Sequence, residues 1–155
     1  MNYWLMKSEP DEFSIDDLKT FGKKGAHWDG VRNYQARNFM RDEMKVGDLA
    51  FFYHSNTKVP GIVGVMEIVR EGYVDHTAFD PDDKHFDPKS DPEKPRWFMV
   101  DVAFRERFND TVSLAELREN KALEDMLILR KGNRLSITPV TKKEWNEVMK
   151  MAQEK

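Results

Sequence analysis

Polar and aromatic side chains gather at three points of the chain where a short apolar run ends or a loop begins. Residues 7–9 follow the apolar run 3–6, residues 27–35 place a tryptophan among polar neighbours, and residues 53–56 end a second aromatic run. The candidates at these points are Lys7, Ser8, Glu9, Trp28, Asn33, Tyr34, Tyr53, His54 and Ser55. Aromatic rings stack on nucleic-acid bases, and hydroxyl, amide and ammonium groups can bind the edge of a stacked base. These residue types predict a pocket for one base, which requires a flipped nucleotide or a single strand.

A structural role is open for the same residues. Trp28 could cap the hydrophobic core, because tryptophan is usually largely buried in folded proteins. Residues 53–56 could simply carry a strand into a turn, where polar side chains are common. The residue types alone do not decide between a pocket and these structural roles.

Motifs of familiar enzymes are absent from the sequence. It contains no Gly-x-Ser-x-Gly, no Walker loop and no Gly-x-Gly-x-x-Gly, which mark serine hydrolases, nucleotide hydrolysis and dinucleotide binding. Cysteine is also absent, which excludes disulfides, thiolate nucleophiles and cysteine-ligated zinc. We therefore predict no catalytic residue and no cofactor.

Potential metal ligands crowd between His76 and Asp87. This segment lacks the central glycine and terminal glutamate of a calcium loop, and its two histidines are not spaced to share one helix face. We interpret it as a solvated acidic loop and predict no metal site. Two rival functions stay open: a nuclease or base-modifying hydrolase that uses His54 or this segment, and a protein-interaction module that recruits partners through the acidic loop.

Charge is distributed unevenly along the chain. The formal net charge is -3 at pH 7, which taken alone disfavours binding to phosphates. Residues 75–93 contain seven acidic residues and two lysines, so the rest of the chain is mildly basic, most of all after Arg130. A basic body with one acidic loop can bind a nucleic-acid backbone locally, although a basic terminal helix is more often a solvated face.

The length of 155 residues predicts a single domain that covers residues 1–155. No apolar run approaches the roughly 18 residues that span a bilayer, and the first residues lack the layout of a signal peptide. We expect an intracellular location, in the cytoplasm or, in a eukaryote, in the nucleus.

Apolar periodicity predicts a mixture of short strands and helices. Strands are expected at residues 3–7, 49–54, 61–70 and 97–108, with shorter ones at 127–129 and 135–137. Helices are expected after Ser14, at residues 33–44, after Ser113 and after Thr141, the last two with a capping-box glutamate. Residues 25–32 and 75–95 are expected to form loops.

These elements predict an α+β fold. The absence of a repeating strand-helix period excludes a doubly wound parallel sheet and favours a small, mostly antiparallel barrel with helices packed around it. Gly61 and Gly64 lie within one predicted strand and indicate a bend or the close approach of another backbone. The turn at residues 130–134 requires a positive φ, which Gly132 or Asn133 would tolerate.

Five stretches spread over the chain resemble the EVE domain family of the PUA-like superfamily. They are residues 3–10 (YWLMKSEP), 28–38 (WDGVRNYQARN), 47–48 with 52–55, 60–64 (PGIVG) and 134–140 (RLSITPV). The resemblance implies a PUA-like fold, which is a curved β-barrel flanked by helices. It also implies a non-catalytic module that binds DNA or RNA and reads a modified or flipped base, for example methylated or hydroxymethylated cytosine.

The resemblance further implies roles for particular residues. Related YTH domains hold the base in an aromatic cage and begin with Lys-Ser-Asn, so Glu9 departs from their pattern at the edge of the base. Trp28 lies where the first cage wall is expected, and Ser8 with Asn33 or Tyr53 would hydrogen-bond the base edge. Candidates for the second wall are Phe79 and Trp97, with Phe86 a weaker one. The basic turn that would approach the backbone phosphate carries Arg130, Lys131 and Arg134.

Overall fold

Six strands form one mixed sheet in the computed structural model, which describes residues 1–155. They are β1 (Tyr3–Ser8), β2 (Ala26–His27), β3 (Leu49–His54), β4 (Gly61–Val74), β5 (Phe98–Ser113) and β6 (Ile137–Val140), in the spatial order β2-β5-β4-β3-β1-β6. Only β1 and β3 pair in parallel. The predicted α+β class and largely antiparallel sheet are therefore confirmed. The sheet is open, with β2 and β6 at its edges, so strand pairing does not close it into the expected barrel.

Four short α-helices pack on this sheet. They are α1 (Ile15–Lys19), α2 (Tyr34–Asn38), α3 (Leu114–Glu119) and α4 (Lys142–Gln153), and a π-helical turn at Phe39–Glu43 continues α2. The predicted caps are confirmed, since Ser14, Ser113 and Thr141 each accept a hydrogen bond from the backbone three residues later in a capping box. No helix combines the length and apolar content needed to cross a membrane.

Strand alternation sorts the apolar side chains onto two faces of the sheet. We call the side of Trp4, Met6 and Phe52 the front face and the side of Leu5 and Phe51 the back face. On the back face, Trp145 of α4 stacks on Phe51 with ring centroids 3.8 Å apart and an interplanar angle of 11°. On the front face, α1, α2 and loops cover the strands, and Asp48 accepts a hydrogen bond from the indole of Trp4 at 3.1 Å.

Three predictions about local structure were wrong or displaced. Residues 127–129 form a 3-10 turn instead of a strand, because a three-residue apolar run has no distinguishable period. The strand expected at 135–137 is β6, which lies two residues later and includes Pro139, as an edge strand allows. Residues 25–32 are not wholly a loop, since β2 pairs with β5 over two residues, too few to leave a sequence pattern.

Close backbone approach explains the glycines of β4. A Cβ added to Gly64 would lie 2.2 Å from the carbonyl oxygen of Glu106, and one added to Gly61 would lie 2.4 Å from that of Val112. The pairing of β4 with β5 shifts register beside Gly64. Both strands extend beyond the predicted limits, and the bulges allow so long a pair to bend.

Candidate functional site

A cleft of about 970 Å³ opens on the front face, where β1 ends. Its walls come from residues 7–9, 26–32 and 82–85, together with Glu12, Phe13, Phe21 and Ser136. The end of β1, the chain after β2 and the acidic loop therefore meet at one place, although they are far apart in the sequence.

Trp28 belongs both to the hydrophobic core and to the wall of the cleft. Its residual exposure is 6%, and its backbone amide donates to the carbonyl of Val100 at 2.8 Å. The indole packs edge-on against Phe52 and Phe13, with centroid distances of 5.4 and 6.3 Å. The two interpretations of this residue, core cap and pocket wall, are thus compatible, and the contacts fix the orientation of the ring.

The buried carboxylate of Asp75 holds the loop that follows Trp28. It accepts hydrogen bonds from the backbone amide of Gly30 at 2.9 Å, from Arg32 at 3.0 Å and from Thr77. Burial by itself would raise the pKa of Asp75, but these hydrogen bonds outweigh burial and leave the pKa below its ordinary value. The carboxylate is therefore charged at neutral pH and fixes the shape of this wall.

The acidic loop forms the opposite wall through His85. Arg32 donates two hydrogen bonds to the His85 carbonyl, at 2.6 and 3.2 Å, and so ties the two walls together. A Cβ on Gly30, whose φ is 79°, would lie 2.5 Å from the His85 ring, so only glycine fits there. An ion pair between Lys84 and Glu12 also spans the cleft.

The His85 ring presents an unused hydrogen-bonding atom beside two carboxylates. Its Nδ1 is buried without a hydrogen bond and lies 3.5 Å from an oxygen of Asp83 and 3.8 Å from one of Asp29. Ser8 borders the cleft nearby and donates its hydroxyl to the carbonyl of Phe13 at 2.7 Å, which leaves its oxygen free to accept. The cleft is therefore rich in acceptors beside an aromatic wall.

The structure brings together only part of the predicted pocket. Lys7, Ser8, Glu9 and Trp28 line the cleft, whereas Asn33, Tyr34, Tyr53, His54, Ser55, Phe79 and Trp97 do not. Tyr53 follows Phe52 in β3 and therefore lies on the back face, where the Lys7 ammonium is 5.9 Å from its ring. Asn33 uses its side chain to cap α2, accepting from the amide of Ala36.

Tyr34 and Trp97 form a separate aromatic pair. Their rings stack with centroids 4.9 Å apart at 21°, and the Arg37 guanidinium lies 4.8 Å from the Tyr34 ring. The indole of Trp97 donates to Asp87 at 2.7 Å. The structure thus pairs the predicted second wall with Tyr34, outside the cleft. Phe79 is half-buried in a 3-10 turn, His76–Phe79.

His54 has a structural partner. Its Nε2 accepts a hydrogen bond from the backbone amide of Ile15 at 3.2 Å, at the start of α1. Burial lowers the pKa of His54, and the charge of Arg107 lowers it further while Asp16 opposes the change. A neutral imidazole that accepts from a helix amide lacks the free nitrogen that a general base needs.

Nowhere in the chain do three histidine or carboxylate side chains converge as metal ligands do.

Sequence reasoning missed several cleft residues. Phe21, Arg32 and His85 line the cleft but are not among the predicted site residues, and Asp75, which holds one wall in place, falls within a predicted loop. The pairing of Arg32 with Asp75 joins residues 43 apart, and no local spacing reports such a contact. The run Trp28-Asp29-Gly30 does carry a signal for the His85 wall, since a glycine next to candidate site residues indicates the close approach of another segment.

Charges around the cleft are arranged in two zones. Five carboxylates line the cleft itself, Glu9, Glu12, Asp29, Asp82 and Asp83, against the cationic side chains of Arg32 and Lys84, while the Lys7 ammonium lies near Tyr53 on the back face. Outside it, the exposed turn at 130–134 leads to Ser136, whose carbonyl accepts from the amide of Lys7 at 2.8 Å. Arg130, Lys131 and Arg134 take part in no ion pair of the structure. The arrangement suits a neutral, hydrogen-donating group inside and phosphates outside.

The chain is similar to known proteins over nearly its whole length. The model of the EVE domain matches residues 2–151. Thymocyte nuclear protein 1 of Danio rerio is 48% identical over 168 residues, which cover 97% of this chain and 72% of the relative. Two crystal structures share the fold of this chain. That of human THYN1 in complex with DNA containing 5-methylcytosine has 44% identity and a TM-score of 0.94, covering 100% of this chain and 99% of the human one. That of a Pseudomonas syringae protein has 48% identity and a TM-score of 0.93, covering 97% and 99%.

Proposed function

The chain belongs to the EVE domain family, and from that premise we propose that it is a non-catalytic module that binds nucleic acid and reads a modified base in the cleft. The observation that carries the proposal is the two-zone charge pattern: an acidic, aromatic-walled cleft of about 970 Å³ beside an exposed basic turn. A base is uncharged and can enter the cleft, while its phosphates would be repelled from the carboxylates and attracted to the turn.

The chemistry of the cleft favours a base with an exocyclic amino group. Carboxylates accept hydrogen bonds from such a group, as Asp and Glu do from the N4 amine of cytosine. Asp29 and Glu9 line the cleft, and Trp28 provides an aromatic wall. Human THYN1 was crystallised with DNA that contains 5-methylcytosine. We therefore propose cytosine modified at C5, by methyl or hydroxymethyl, as the preferred base.

The proposal includes the absence of catalysis. The histidine at the end of β3 is engaged by α1, and no cluster of metal ligands supports hydrolysis. Because the name of the vertebrate relatives refers to the nucleus, we also propose that this chain works inside the cell, where nucleic acid is present.

Titration of short oligonucleotides tests the proposal. The probes are identical except for one position, which carries cytosine, 5-methylcytosine, 5-hydroxymethylcytosine or thymine. Wild type should bind a modified cytosine more tightly than cytosine and should bind thymine, which lacks the amino group, least. Because Trp28→Ala would also damage the core, Asp29→Ala is the sharper variant. The Asp29 side chain is half-exposed, and its nearest potential ion-pair partner is His85, at 3.8 Å.

Asp125→Ala is the matched control, since this exposed aspartate lies between back-face residues Leu123 and Met126. Asp29→Ala should reduce discrimination between cytosine and thymine, and Asp125→Ala should not. Equal affinity of wild type for all four probes would contradict the proposal. Cleavage of the probes with added divalent ions, abolished by His54→Ala or His76→Ala, would favour the hydrolase instead.

A further inference from the structure

Phe21 is an exposed aromatic side chain at the mouth of the cleft. Six large apolar residues are exposed in the structure, and Phe21, at 52%, is the one among them that also lines the cleft. Its ring lies 6.1 Å from that of Phe13, which in turn packs on Trp28. An aromatic row therefore runs from the buried wall of the cleft out to solvent.

A tight turn after α1 carries Phe21 at the mouth of the cleft. Helix α1 ends just before it, and Gly22, with φ of 64°, turns the chain into the 3-10 segment Gly22–Lys24. A Cβ on Gly22 would meet no atom within 4 Å, so the turn faces open space at this residue. Its position is set at the far end by Gly25, whose own Cβ would lie 2.3 Å from the Val102 carbonyl oxygen.

Unpaired lysines follow Phe21 on the same turn. Lys23 and Lys24 are exposed, and the lysine ion pairs of the structure involve Lys45, Lys84 and Lys155 instead. A single exposed ring is common on protein surfaces, but Phe21 ends an aromatic row at the cleft mouth and lies beside two unpaired cations, which together fit a partner that is both flat and negatively charged. Nucleic acid offers both, as a flat base joined to a phosphate.

We propose that Phe21 stacks on the base next to the one held in the cleft, while Lys23 and Lys24 contact the phosphates beside it. This inference rests on the proposed function. Removing one base from a stack exposes the face of its neighbour, and aromatic side chains compensate for such lost stacking in single-stranded and flipped substrates. The protein then recognises a two-base unit, with the first base read in the cleft and the second held by its face alone.

A double-mutant cycle between protein and oligonucleotide tests the contact. The probe carries one 5-methylcytosine, and its 5′ or 3′ neighbour is either a normal base or an abasic site, in single-stranded and in duplex form. Phe21→Ala should weaken binding roughly 5-fold to 150-fold, the range expected for loss of one stacked base. On the abasic probe for the correct neighbour, the same substitution should cost almost nothing, because its partner is already missing.

Tyr34→Ala is the matched control, because Tyr34 is equally exposed at 52% but stacks on Trp97 outside the cleft. It should leave binding to every probe unchanged. Phe21→Leu keeps apolar volume without a flat ring and should retain only part of the affinity. Lys23→Ala and Lys24→Ala should each reduce the slope of log affinity against log salt by about 1, whatever the sequence of the probe.

The inference is wrong if Phe21→Ala loses as much affinity on the abasic probes as on the normal ones, for both neighbours, while its thermal unfolding is unchanged. The proposed reading of a single base in the cleft would then still stand. Failure of wild type to bind any of the probes would instead overturn the proposed function, and this inference with it. Coupling between Phe21 and the neighbouring base that is seen only with the single-stranded probe would support the stacking contact and show that it forms with single strands.

Discussion

The front and back faces of the sheet bury apolar clusters of similar size, 18 and 15 residues, but are covered in different ways. On the back, the twelve-residue helix α4 lays Trp145 against Phe51 and leaves no comparable opening. On the front, two five-residue helices and loops provide the cover, and the cleft opens among the loops. The site therefore arises from incomplete cover of the sheet and not from a smaller core.

The two covers also depend on different forces. The back relies on continuous apolar contact between α4 and the strands, in which Val148 and Ala152 join Trp145. The front relies on polar ties that converge on Asp75 and on the Arg32 bonds to His85. Hydrogen bonds and ion pairs hold loops in place without filling the space beneath them, so they are compatible with a cleft. We therefore expect substitutions on the back to change stability alone and substitutions in the front cover to change binding as well.

The largest expected effect separates these roles on the back face. Trp145→Ala should lower the free energy of unfolding by about 3–5 kcal/mol, because it removes a stacked core ring and leaves a cavity. Denaturant unfolding measures the change, and affinity for the 5-methylcytosine probe, corrected for the folded fraction, should match wild type. Loss of affinity in the folded fraction would show that the two faces are coupled.

A somewhat smaller effect is expected on the front face from Asp75→Asn. The substitution weakens charged hydrogen bonds to Gly30, Arg32 and Thr77 and should cost about 2–3 kcal/mol. Unlike Trp145→Ala, it should also reduce affinity for the probe, because it frees the wall that follows Trp28. Unfolding and titration of the same preparation provide both readings, and a stability loss with unchanged affinity would contradict the assigned role.

The pH dependence of the same residue has a definite sign. The pKa of Asp75 is lower in the folded chain than its ordinary value of 3.8, so ionisation of Asp75 favours folding. Its contribution is present above about pH 4 and is lost as the pH falls below the unfolded pKa toward the folded one. The stability difference between wild type and Asp75→Asn should therefore narrow in acid, and a difference that widens below pH 4 would refute the ionised pairing.

Sequence reasoning succeeded where a local pattern sets the structure and failed where distant segments meet. The caps at Ser14, Ser113 and Thr141 were predictable because both partners lie within one turn. The sequence predicts Tyr53 in the pocket, but strand alternation directs it to the back face, and the sequence does not say which face bears a cleft. The wall at His85 was not predictable, because it depends on hydrogen bonds from Arg32, 53 residues earlier.

A further, smaller contrast between the faces is expected from the helix caps. Thr141→Ala on α4 and Ser14→Ala on α1 remove equivalent hydrogen bonds and should each cost about 1 kcal/mol. Only Ser14→Ala should weaken binding to the oligonucleotide probe, because α1 leads directly to Phe21 at the cleft mouth. Parallel unfolding and titration of the two variants measure this, and equal binding losses would remove the distinction between the faces.

The smallest expected effect concerns the ion pair of Lys84 and Glu12, which joins the two walls of the cleft. Both side chains are more than half exposed, so water and salt screen their attraction, and Lys84→Ala should change stability by less than about 1 kcal/mol. If the front cover depends on Asp75 and Arg32, as the buried geometry indicates, affinity for the probe should change little. A loss as large as that of Asp75→Asn would instead make the exposed pair the main tie between the walls, and raising the salt concentration should then weaken wild type to the level of the variant.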